Sequence, residues 1–226
     1  MDIGSAIRDS VDYTKESLWQ QWKRWILLTI MSIIFPLIMG YTLEIYRGRT
    51  PPPEVENFGK LFVNGLKYLV AICVYFIPVL IVTIVSFMAI GVSMISKIAE
   101  GGEFHFNVHD LAPYILPIIG SGLLVFILGM ITVLISSMGI IRMARTESFM
   151  EAFNFSAILQ TIRGIGWGSY LLASVVLWII SFVLGMVFNL ITEIPYLGII
   201  IMFFVSVMFT IFEARYLTLV YESGDQ

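Results

Sequence analysis

Five long apolar runs occupy most of this chain, and their length leaves few folds open to it. They are Trp25–Leu43, Leu69–Met94, Tyr114–Ile141, Gly168–Ile191 and Tyr196–Phe212. About 20 apolar residues, rising 1.5 Å each as a helix, match the roughly 30 Å hydrocarbon core of a bilayer. With 58% hydrophobic and only 13% charged residues, a soluble domain of this size has too little interior to hide such runs. The sequence therefore predicts an all-α, polytopic membrane protein with five hydrophobic segments. Residues 1–226 form a single membrane domain, because the longest stretch between runs, Arg142 to Trp167, is too short to fold alone.

Other classes are disfavoured. The start, Met1-Asp2-Ile3-Gly4, lacks the basic region and small-residue cleavage site of a secretory signal. Cys73, the single cysteine, can neither close an internal disulfide nor build a thiolate metal site. A net charge of −3 argues against nucleic acid as a partner. No H-E-x-x-H, G-x-S-x-G or phosphate-binding loop is present.

Amphipathic segments precede runs one, two and four. In residues 1–24 the apolar Ile3, Ile7, Val11, Leu18 and Trp22 recur at near-helical spacing, and Trp25 continues them. Asp2 is the expected N-cap, and Trp19, Trp22 and Trp25 suit the headgroup layer. A second interfacial helix is expected over 57–68, after the Pro51-Pro52-Pro53 break, with Asn57 as cap and Phe58, Leu61, Phe62 and Leu66 as its stripe. A third is expected over 148–163, with Ser148 and Glu151 at capping-box spacing and Gly164 closing it. The recurring theme has no exact period and is no proven repeat.

Charge decides how run one is read. If all five runs cross, the basic residues divide poorly between the two sides. If run one enters and returns, every Lys and Arg except Lys97 falls on one side, which the positive-inside tendency makes cytoplasmic together with the C-terminus. Pro36, with Gly40 four residues on, permits the bend. A Pro-kinked single span is the simpler alternative, and the charge division favours re-entry.

The stretch Gly40-Tyr41-Thr42-Leu43-Glu44-Ile45-Tyr46-Arg47-Gly48, the Pro-rich link, and Gly59-Lys60-Leu61-Phe62-Val63-Asn64-Gly65-Leu66-Lys67 resemble an archaeal and bacterial membrane family catalogued as domain of unknown function 4013. Phe149-x-x-Ala152-Phe153 and Gly166-Trp167-x-x-Tyr170-Leu171-Leu172 add to the likeness. The resemblance covers nearly the whole chain. It implies a helical membrane fold and no known activity, and it brings no catalytic residues; the location expected of such a multi-pass chain is the cell membrane.

Two sets of residues carry candidate chemistry. His105 and His109 have the H-x-x-x-H spacing that would share a helix face as zinc ligands do. Phe104, Phe106 and Val108 alternate with His105, Asn107 and His109, however, the period of an extended segment, where the imidazoles stand about 13 Å apart. They are weak candidates for metal. Glu213 and Arg215 end the last run, where an unpaired charge is expensive. Arg142 and Arg145 are the expected partners of Glu213, and Glu44, Glu147 or Glu151 those of Arg215, forming a structural ion-pair belt at helix ends.

Inside the runs only scattered hydroxyls and Asn189 interrupt the apolar character. Proton relays and ion paths use ionisable groups at mid-depth, and none is there. Small-residue spacings (Ala89-x-x-x-Ser93, Gly164-x-x-x-Gly168, Ser181-x-x-x-Gly185) suit helix packing within the chain or with a partner. The expectation is a non-enzymatic membrane protein without cofactor whose partners are the bilayer and either a second copy or another membrane protein. The alternative is a small channel or transporter with its pore between protomers. In that case the backbone of Pro36–Gly40 is the one place in the chain for a path.

Overall fold

The computed structural model describes residues 2–99, 108–194 and 197–224. Among them are eight α-helices, one 3₁₀-helix and no strand. The α-helices are α1 (Ile3–Leu18), α2 (Trp22–Ile33), α3 (Phe35–Tyr46), α4 (Phe58–Ala99), α5 (Val108–Thr146), α6 (Phe155–Ile165), α7 (Trp167–Thr192) and α8 (Leu197–Glu222). Among the described residues, four segments are long and apolar enough to cross a membrane: Phe58–Ser93, Ala112–Thr146, Trp167–Thr192 and Leu197–Glu222.

The expected first run is the exception, because it is broken in two. Pro36 lies in the first turn of α3, where its missing N–H costs nothing, and the break falls two residues earlier at Ile34. The two halves have 12 residues each, about 18 Å of helix, well short of the hydrocarbon thickness.

Two other expected boundaries also move. The segment 57–68 is no separate interfacial helix but the first turns of the 42-residue α4, since no breaker separates Tyr68 from Leu69 and the helix continues through Pro78. The segment 148–163 divides into a 3₁₀-helix, Phe149–Phe153, and α6. Ser148 makes no capping hydrogen bond; Asn154 caps α6 instead, its Oδ1 accepting from the Ala157 N–H at 3.3 Å. Glycine closes α6 at Gly166, with φ +86, and not at Gly164. A Cβ on Gly164 would overlap the Gly224 carbonyl, so close approach is what Gly164 supplies. The Asp2 cap is as expected, its carboxylate accepting from Gly4 N–H at 3.0 Å.

The described residues form two compact units. The first comprises residues 1–71 and 135–226, and α8 is its hub: α1, α2, α3, α6 and α7 all pack on it. Tyr216 Oη donates to the Ala173 carbonyl of α7 at 3.0 Å, and Trp25 Nε1 donates to the Phe204 carbonyl at 3.1 Å. Gly40 of α3 and Gly65 of α4 permit an antiparallel crossing of the two helices. A Cβ on Gly40 would overlap the Leu61 carbonyl, and one on Gly65 the Pro36 carbonyl.

The second unit, residues 72–134, contains the remainder of α4 and most of α5. Tyr114 Oη of α5 donates to the Ser93 carbonyl of α4 at 3.2 Å. Of its residues whose burial is described, only Tyr75, Tyr114 and Thr132 are buried.

Candidate functional site

Charge concentrates where the C-terminal ends of α3, α5 and α8 meet. Each end presents unpaired carbonyls and the negative pole of its helix dipole, so three converging ends repel unless cations lie between them. The sequence supplies arginines there. Arg47, just past α3, donates through Nε to the Ala144 carbonyl of α5 at 3.3 Å. Arg145, in the last turn of α5, donates through Nε to the Tyr46 carbonyl of α3 at 2.7 Å. The two helix ends thus cap each other.

Carboxylates then neutralise the arginines. Glu44 pairs with Arg47 three residues on and with Arg49 at 2.9 Å. Arg47 also meets Glu147 at 3.4 Å. Arg145 pairs with Glu222 of α8, and its guanidinium lies 5.8 Å from the Tyr221 ring centre. Arg142 Nε donates to Glu151 at 2.6 Å. The Asn154 amide, at 3.2 Å, and then Arg142 hold the Glu151 carboxyl below its ordinary 4.5.

Arg215 is tied to the far end of the chain. Its Nε donates to Asp9 of α1 at 2.7 Å, and its guanidinium stands 5.0 Å above the Tyr13 ring. The Tyr13 hydroxyl in turn donates to the Arg49 carbonyl at 3.1 Å, and burial pushes its phenol up. The Arg215 side chain is 9% exposed while that of Asp9 is 47% exposed.

Of the four residues singled out from sequence, Arg142, Arg145 and Arg215 are ion-paired, though not with the partners expected. Glu213 makes no ion pair with Arg142 or Arg145, because those side chains are engaged by Glu151 and Glu222. Arg215 takes Asp9 and not Glu44, Glu147 or Glu151. Sequence reasoning missed Arg47 as a cross-cap and Glu222 as a partner. The Glu44-x-x-Arg47 spacing was a legible signal for the local pair. Nothing in sequence marks Asp9, 206 positions from Arg215.

His105 lies outside the described residues, as do Glu100, Glu103, Phe104, Phe106 and Asn107. From Val108 the backbone is helical, which replaces the extended reading there, and His109 falls in the first turn of α5. Among the described residues no group of three His, Cys, Asp or Glu could hold a metal ion.

The backbone of Pro36–Gly40, singled out as the place for a conduction path, is covered by Leu61 and Gly65 of α4. The small-residue spacings serve differently from one another: a Cβ at Gly168 or Gly185 would meet nothing within 4 Å, whereas Gly164 is packed.

A chain with four helices, among its described residues, long and apolar enough to span a bilayer is a polytopic α-helical membrane protein. Residues 25–193 match the family model described as Protein of unknown function (DUF4013), and the chain belongs to that family. No curated protein and no solved structure matches it.

Proposed function

We propose that this protein is a non-enzymatic integral component of the cell membrane whose role is to bind another membrane protein, either a second copy or a different subunit. The observation that carries the reading is the second unit. Among the described residues its two helices bury almost nothing, and Gly91, Gly120, Gly122 and Gly129 along them are open, a Cβ on each meeting nothing within 4 Å. Small residues are poor at filling space against lipid tails and good at admitting a neighbouring helix. Thr83 and Ser121, on the same two helices, already donate to carbonyls one turn back, so these two hydroxyls need nothing from such a neighbour.

Run one, in this reading, enters the membrane and returns, with the N-terminal helix, the 47–57 link, the 147–166 link and the C-terminus all cytoplasmic. Support comes from the bond between Tyr13 and Arg49, which flank run one and would stand about 30 Å apart if it crossed. Asp9 on Arg215 makes the same argument for the chain terminus. Every Lys and Arg but Lys97 then shares the cytoplasmic side.

The test is chemical crosslinking of Ser86→Cys and Gly122→Cys variants, in a Cys73→Ser background, in native membranes, followed by native mass spectrometry in gentle detergent. Crosslinked species and a stable complex are expected. A monomer with no crosslinked product and no associated protein would sink the reading. Ion flux from liposomes at the stoichiometry of the complex would move the assignment to a channel formed between protomers.

A further inference from the structure

We infer that the groove between α1 and the α7–α8 pair is a binding site for one phospholipid, with an acyl chain along its floor and the phosphate at Lys15. The groove holds about 500 Å³, within the range of small-molecule sites. One wall is the apolar stripe of α1, including Ile7 and Val11; the others are Leu184 of α7 and Met208 of α8.

The wall chemistry selects hydrocarbon. α1 packs on α8, and the residues it buries include the small Ala6, Ser10, Thr14 and Ser17, which let two helices approach closely. That leaves its apolar stripe beside the groove. Thr14 is a polar wall residue, but its hydroxyl donates to the Ser10 carbonyl at 2.7 Å, so it offers no unmet donor. Leu184 and Met208 belong to two apolar helices of spanning length, for which a bilayer supplies hydrocarbon as the filler.

The charge at the groove selects a phospholipid over a free hydrocarbon. Lys15 is its one charged wall residue, and Trp19, just past the end of α1, also lines the groove. An ammonium beside an indole at the edge of an apolar groove is the arrangement that phospholipid headgroups recruit. The only ion pair of Lys15 among the described residues is with Asp12 at 3.6 Å, both side chains about two-thirds exposed. So exposed a pair holds the ammonium weakly and leaves it free to turn to a phosphate.

The test uses the full chain, purified in mild detergent with phosphatidylglycerol added and then washed, and counts lipids retained per chain by native mass spectrometry. The wild type is expected to keep one phosphatidylglycerol. Val11→Trp and Met208→Trp, which fill the groove from opposite walls, are expected to lose it while keeping the helical circular dichroism. Lys15→Glu, which removes a cation and adds an anion, should lower retention by at least about fivefold, the weight of one basic side chain at a headgroup. Equal retention by the wild type and both filled variants would overturn the site, as would a wild type that keeps no lipid. A wild-type dimer that both filled variants convert to monomer would give the groove to a second copy. Unchanged retention in Lys15→Glu would overturn the headgroup assignment.

Discussion

The pair formed by Arg215 and Asp9 makes an asymmetric prediction, because its two members differ so much in exposure. Arg215→Leu removes a charge-assisted hydrogen bond, about 1.5–3 kcal/mol, and a cation–π contact of about 0.5–2 kcal/mol. Leucine recovers part of this as apolar contact, and the Asp9 carboxylate left behind is half in water, so it costs little to leave unpaired. The expected net loss is about 2 kcal/mol, roughly 30-fold in the folding equilibrium. Asp9→Ala strands a guanidinium whose side chain is only 9% exposed. An uncompensated buried charge costs about 3–5 kcal/mol, of which the Tyr13 ring offsets a part, leaving about 3 kcal/mol. The smaller-looking substitution is therefore expected to do more damage. The double variant should cost less than the two single losses together, since each removes the same contact. Urea unfolding in lipid–detergent micelles, followed by tryptophan fluorescence, measures all three. Arg163→Leu, at an exposed position, is the control and should stay within about 0.5 kcal/mol. Arg215→Leu costing more than Asp9→Ala, or both matching the control, would refute the reasoning.

Gly65→Ala and Gly40→Ala should each destabilise by about 1–3 kcal/mol or more in the same assay, since each new Cβ overlaps a backbone carbonyl that cannot swing aside. Gly59→Ala, in open space at the start of α4, should instead stabilise by up to about 1 kcal/mol, and loss there would contradict the packing argument. The Glu151 carboxyl is lowered in the folded protein, so its contribution is fully present above its ordinary 4.5 and is lost as pH falls through its folded value. Glu151→Gln should remove that part of the acid dependence of unfolding, and an unchanged acid limb would count against the Arg142–Glu151–Asn154 link. For topology, single cysteines at Ser5 and His105 in a Cys73→Ser background should react unequally with an impermeant maleimide in intact cells. Equal labelling would mean that run one crosses.

Run length and composition alone set the solvent of this protein. Apolar runs such as Tyr114–Ile141 and Gly168–Ile191 have the length of a bilayer and no competing interior, so helix and membrane follow from composition and spacing alone. Asp2 as a cap was legible for the same reason: capping is a contact between neighbours in sequence. The break in run one was half legible. Pro36 announced a discontinuity, but the halves are held by contacts along α8 and by Leu61 and Gly65 of α4, which periodicity cannot register. Likewise, Ser148 and Glu151 had the spacing of a capping box, yet Arg142 took the carboxylate, because a charged partner outbids a backbone N–H. The candidate site shows the division most plainly. That Arg142, Arg145 and Arg215 would need partners followed from the cost of leaving charge near lipid. Which carboxylate each one found was decided only when the ends of α3, α5 and α8 converged and α1 folded back onto α8, since ion pairing depends on distance in space and a linear sequence does not encode which ends will meet.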